Sequence, residues 1–125
     1  MNLASIRMIT DDLERTVGFY ERVTCMPAGR LAPVFAELQF PSFTLAIGHS
    51  QTVELFGADS ARAADNRSVI VEFAVDDVDA EYERLGPFVV DWVQPPTTMP
   101  WGNRSMLFRD PDGNLVNLFT PPTPD

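Results

Sequence analysis

Apolar residues along the chain alternate between two spacings, and the changes of spacing mark the elements. Residues 3–10 run through β-branched and long apolar side chains, which predicts a strand. Leu13, Val17 and Tyr20 then fall at i, i+4 and i+7 and share one helical face. Asp11 opens this helix, with Glu14 at the spacing of a capping box, and the Pro27 and Gly29 region ends it. Residues 31–40 read as extended segments broken near Pro33, Pro41-Ser42 as a turn, and 43–48 as another strand. The pattern restarts at 68 with a strand over 68–75 and a helix opened by Asp76, whose apolar face is Val78, Tyr82 and Leu85. Gly86-Pro87 stops that helix. A strand over 88–93, a proline-rich loop over 94–102, and strands over 104–109 and 115–120 follow, the last two joined by the turn Asp110-Pro111-Asp112-Gly113-Asn114. Residues 49–66 show no strong period and read as a connection with a helical turn near 61–64.

The two halves are one pattern used twice. Asp11, Asp12, Leu13, Val17 and Tyr20 correspond to Asp76, Asp77, Val78, Tyr82 and Leu85 at a constant offset of 65 residues. The expectation is an α+β fold of two tandem βαβββ modules whose curved mixed sheets form a cleft. In a single domain spanning 1–125, module one takes 1–48, the linker 49–67, module two 68–121 and a frayed tail 122–125.

Composition narrows the function classes. A net charge of −9 argues against nucleic acid, whose phosphates need a basic surface, and is compatible with a cationic ligand. The one cysteine, Cys25, cannot form a disulfide within the chain, which fits a reducing compartment. No signal peptide and no membrane span are read, so the expected location is the cytoplasm.

Several motifs together resemble the vicinal oxygen chelate superfamily of glyoxalases, bleomycin-resistance proteins and extradiol dioxygenases. They are Asp12-Leu13-Glu14-Arg15 with Phe19-Tyr20, Phe73-Ala74-Val75-Asp76-Asp77-Val78, and Pro100-Trp101-Gly102-Asn103-Arg104 running on to Phe108-Arg109-Asp110-Pro111-Asp112-Gly113-Asn114-Leu115. The resemblance covers nearly the whole chain. It implies a homodimer, with exchange of modules between chains as one arrangement. It also implies, for the enzymes of the group, a divalent metal held by His, Gln or Glu. The positions where such ligands would fall hold Ser5, Ala46, Ile70 and Asn117. Isoleucine cannot coordinate, and Ser and Asn are weak neutral ligands. A shifted alignment would instead bring in His49, Glu37 or Glu72. No metal site, no other cofactor and no catalytic residue is therefore expected. The metal-dependent lyase, isomerase or dioxygenase remains the alternative.

The remaining branch of the resemblance is the bleomycin-resistance-like group, which sequesters a small molecule without altering it. On that reading Trp101, Trp92, Phe35, Glu37, Phe40, Arg7 and Asn117 are the candidate ligand-binding residues. Flat aromatic side chains stack ligand rings, and acidic groups meet cations. Each has a plainer role. Trp101 could anchor its loop, Trp92 and the phenylalanines could be core, and Arg7 could pair with Glu37. Asn117 lies among apolar neighbours in the last strand and, if buried, must find a hydrogen bond.

Overall fold

The structure, a computed structural model, describes residues 1–123. The chain forms two compact units, Met1–Asp65 and Asn66–Asp125, and the same path is laid down in each. In the first, β1 (Ser5–Thr10) leads to α1 (Leu13–Thr24), followed by β2 (Gly29–Ala32), β3 (Phe35–Phe40) and β4 (Phe43–His49). In the second, β5 (Ile70–Ala74) leads to α2 (Val78–Leu85), followed by β6 (Asp91–Thr98), β7 (Arg104–Arg109) and β8 (Leu115–Thr120). The sheet orders match: β1-β4-β3-β2 and β5-β8-β7-β6. In each, the first strand pairs in parallel with the last, and the remaining pairs are antiparallel. This is the α+β arrangement of two βαβββ modules that the repeat predicts. Of the tail expected at 122–125, residues 124 and 125 lie outside the described residues.

The repeat extends to the helix caps, one residue later than the sequence suggests. Asp12 and Asp77 are the N-caps, and their Oδ1 atoms accept from the backbone N–H of Arg15 at 3.1 Å and of Ala80 at 3.2 Å. Asp11 is thereby free for another task, and its Oδ1 accepts from the Ser50 hydroxyl at 2.6 Å. Glu14 closes no capping box. Its carboxylate takes a fork of two bonds from Arg30, at 2.8 and 3.3 Å, which hold it below the usual carboxylate range. Leu13, Val17 and Tyr20 are buried, as are Val78 and Leu85, whereas Tyr82 stays 37 % exposed.

Two segments depart from the expected outline. The strand expected at 88–93 begins at Asp91 and continues through Pro95 and Pro96 to Thr98, where a loop was expected. The sheet order explains the tolerance. β6 is an edge strand, so the absent proline N–H groups leave no ladder bond unmade on its outer side, and register shifts between Trp92 and Gln94 and between Gln94 and Thr97 absorb the irregularity. The turn carrying Trp101 is correspondingly short, closed by Gly102 N–H donating to Met99 O at 2.9 Å. In the connection between the modules, the helical turn lies at Ser50–Leu55, a 3-10 helix, rather than near 61–64.

Candidate functional site

Alternation along the strands sorts each sheet into a face towards its helix and a face away from it. In the first unit Met8, Ile47 and Ala36 share a row, as do Leu45 and Leu38, and all are buried in the core with α1. The opposite face carries Arg7, Ala46, Glu37 and Gly29 in register, with Ile9, Gly48 and Phe35 in the next row. Three of the candidate residues, Arg7, Phe35 and Glu37, therefore share a face. Phe40 does not join them. It has the parity of Ala36 and Leu38 and pairs with Phe43 on the helix side.

Arg7 forms no ion pair with Glu37. Ala46 of β4 stands between them, so they are two strands apart, roughly 10 Å at the usual strand spacing. The guanidinium carbon instead lies 5.2 Å from the centroid of the Phe35 ring and 5.3 Å from that of Phe56. Glu37 takes its own hydrogen bond, from Gln39 Nε2 at 2.8 Å. Phe56 went unnoticed in the sequence because it sits in the unpatterned connection. It reaches Arg7 because the 3-10 helix turns the chain back at the end of β4. His49 Nδ1 accepts from Gln51 N–H at 3.0 Å, the Thr52 hydroxyl donates to His49 O at 2.7 Å, and Ser50 ties to Asp11.

In the second unit the face away from α2 carries the row Glu72, Asn117, Leu107 and Gln94. Asn117 is 9 % exposed, and its Nδ2 donates to Glu72 Oε2 at 2.8 Å. A carboxylate only accepts, so this bond fixes which end of the amide is which. Asn117 Oδ1 points away from Glu72, buried and without a partner. Gln94 Oε1, in the same row, is also buried and unpartnered. Gln94 is the second residue that the sequence hid. It lies where a loop was expected, and the register shift after Trp92 turns it to this face.

The two tryptophans part company. Trp92 pairs with Phe108 on the helix side and meets it edge-on at 5.4 Å, and the Tyr82 ring of α2 meets Trp92 at 4.9 Å. It is half-buried and packs on the helix side of the second unit. Trp101 stands in the β6–β7 turn with 68 % of its surface exposed, so its ring does not anchor that turn in a core.

The donor set does not suit a divalent metal. Among the described residues no three of His, Cys, Asp and Glu come together in a group that could hold one. Ile70 contributes no donor atom, and His49 spends its Nδ1 on capping. Among the described residues no helix is long and apolar enough to cross a membrane.

Comparisons with known proteins agree with this architecture. The sequence profile of the glyoxalase/bleomycin resistance protein/dioxygenase superfamily matches residues 2–118. The uncharacterized protein YraH of Bacillus subtilis (strain 168) is 26 % identical over 125 residues, covering 95 % of this chain and 98 % of its own. A glyoxalase/bleomycin resistance protein/dioxygenase from Nocardioides superposes with a TM-score of 0.80 at 25 % identity, over 100 % of this chain and 86 % of its own. A family enzyme from Burkholderia phytofirmans PsJN superposes with a TM-score of 0.84 at 17 % identity, over 96 % of this chain and 98 % of its own, a likeness of fold alone.

Proposed function

The chain belongs to the glyoxalase/bleomycin resistance protein/dioxygenase superfamily, and from that membership together with its own residues we propose that it binds and sequesters a small organic molecule rather than transforming one on a metal. The ligand class is an antibiotic-like molecule with a flat ring and an amine or other N–H donors. One observation carries the reading. The row that would supply a metal ligand in an enzyme of the family offers three acceptors instead: the Glu72 carboxylate, Asn117 Oδ1 and Gln94 Oε1. A buried acceptor left without a donor costs about 1–3 kcal/mol, which a ligand N–H recovers. The net charge of −9 favours the approach of a cation.

The test separates the acceptor from its surroundings. Asn117→Leu removes the unpartnered oxygen together with the Nδ2 bond to Glu72, whose exposed carboxylate water takes over, so the free protein is expected to be no less stable than the parent and up to about 1 kcal/mol more stable in urea unfolding. The same variant is expected to lose binding to whichever of bleomycin and a panel of flat cationic antibiotics the parent retains in a thermal-shift screen. If the parent retains none, or takes up a stoichiometric divalent ion, sequestration is the wrong reading. Trp101 supplies the stacking surface on this proposal. Trp101→Ala should weaken the same ligand by roughly tenfold, the worth of one aromatic contact, with an unchanged melting temperature because the ring is exposed. The proposal extends to a cytoplasmic homodimer, which sedimentation of the full chain would test. Its support is the lone cysteine and the exposed apolar residues Leu31 and Val90.

A further inference from the structure

We propose that the first unit carries a second recognition site, for a planar carboxylate, built from Arg7, Phe35 and Phe56. All nine basic residues of this chain are arginines, set among 18 carboxylate side chains. Arg30, Arg62, Arg84 and Arg104 each pair with one of those carboxylates. Arg7 does not. Among the described residues its side chain meets two phenyl rings and forms no ion pair or hydrogen bond. Exposed Arg67 has no carboxylate partner among those residues either, so what sets Arg7 apart is the pair of phenyl rings that holds its guanidinium.

The local structure does the holding. Gly48 offers no side chain, and the stem of Arg7 runs across it. A Cβ at that position would stand 3.2 Å from Arg7 Cδ and 3.1 Å from Thr52 Oγ1. Phe35 neighbours Gly48 in register, which puts one ring beside the guanidinium. The 3-10 helix brings the other. Its last turn closes through Phe56 N–H donating to Val53 O at 2.9 Å, and Gly57 follows at φ +151°, a conformation that side-chain-bearing residues rarely adopt. Phe56 is itself 73 % exposed, a large apolar surface that the free protein leaves in water.

A guanidinium held by ring contacts keeps its in-plane N–H fork for an acceptor, and a carboxylate matches that fork with two parallel bonds. The adjoining phenyl surface suits a flat apolar body attached to the carboxylate. An aromatic monocarboxylate is thus the minimal ligand. The site involves no residue of the second unit's acceptor row, so it stands or falls apart from the sequestration proposal.

Benzoate is the probe, with benzamide as its neutral isostere, titrated into the full chain and followed by backbone amide chemical shifts. Saturable shifts centred on residues 7, 35, 48 and 56 are expected with benzoate and not with benzamide. Arg7→Gln should weaken benzoate roughly 10- to 100-fold, the range for losing a charged hydrogen-bonded partner. Arg7→Lys keeps the charge but loses the fork, and should weaken it several-fold. Phe56→Ala changes an exposed residue, so it keeps the fold and should also weaken benzoate several-fold. If Arg7→Gln does not fold, the lysine and alanine variants decide. Equal binding of benzoate and benzamide, no saturable shifts in the parent, or unweakened binding by the folded variants overturns the site.

Discussion

Asp110→Ala is expected to destabilise the protein by about 3 kcal/mol, a fall of roughly 10 °C in melting temperature for a chain of this size. Asp110 is only 4 % exposed and organises the β7–β8 turn around its carboxylate. Oδ1 accepts from the backbone N–H of Asp112 and of Asn114, both at 2.9 Å, and Oδ2 accepts from Asn114 Nδ2 at 2.8 Å. Alanine leaves these donors behind in a buried turn, and the sum of their lost partners is larger than any packing change from removing a carboxyl. Asp110→Asn separates charge from geometry. Its carbonyl can still receive the two backbone groups, but its amide nitrogen then faces the Asn114 amide nitrogen, donor against donor. About half the loss is expected. Urea unfolding of the two variants beside the parent checks this, and an alanine variant within 1 kcal/mol of the parent would refute it.

The turn matters for the site because it holds the start of β5. Asn114 Oδ1 accepts from Asn66 Nδ2 at 3.2 Å, and Asn66 in turn takes the backbone N–H groups of Ser68 and Val69 at 3.3 and 3.0 Å. β5 is an edge strand paired only with β8, so this bridge sets where it begins. Glu72 sits two residues into β5, opposite Asn117. The Asp-Pro-Asp-Gly-Asn segment, legible in the sequence as a hairpin turn, thus fixes the register on which the acceptor row depends.

What the sequence displayed was local, and what it hid was non-local. The offset of 65 residues was visible because both helices need the same apolar face and both need an Asp at the cap, so Asp12 and Asp77 repeat along with Leu13 and Val78. Strand alternation placed Ser5 and Arg7 on one side, and the register agrees. The pairing of Glu72 with Asn117 could not be read in the same way. It depends on a parallel register between strands 45 residues apart, which no short pattern encodes. Gln94 was hidden by its neighbours, since Pro95 and Pro96 read as loop everywhere except on an edge strand. Phe56 was hidden because a 3-10 turn of six residues carries no amphipathic period, and the His49 cap and the Ser50–Asp11 bond that fix that turn look like ordinary loop chemistry. Phe40 and Trp92 stood beside Arg7 and Phe35 as candidates because aromatic side chains look alike in sequence whichever face of the sheet they take, and the register puts both on the helix side.

The core aromatics set the other large effect. Phe108→Ala is expected to cost about 3–5 kcal/mol, the range for emptying a fully buried aromatic site. Phe108 is the inner member of a chain of edge-on rings that runs through Trp92 to Tyr82 and so ties β7 and β6 to α2. Trp92→Ala breaks the same chain at its centre. Because the two side chains touch, their losses should not add. A double-mutant cycle is expected to return a coupling of about 0.5–1.5 kcal/mol, the value of an edge-on aromatic pair beyond its buried area. Additive losses would mean that the rings stabilise the unit independently and that α2 is held by something else. The cycle also decides the role of Trp92. As a core residue it should change stability while leaving the affinity for the ligand of the acceptor row unchanged in any variant that stays folded. A Trp92 variant with parental stability and altered ligand binding would return that tryptophan to the candidate site.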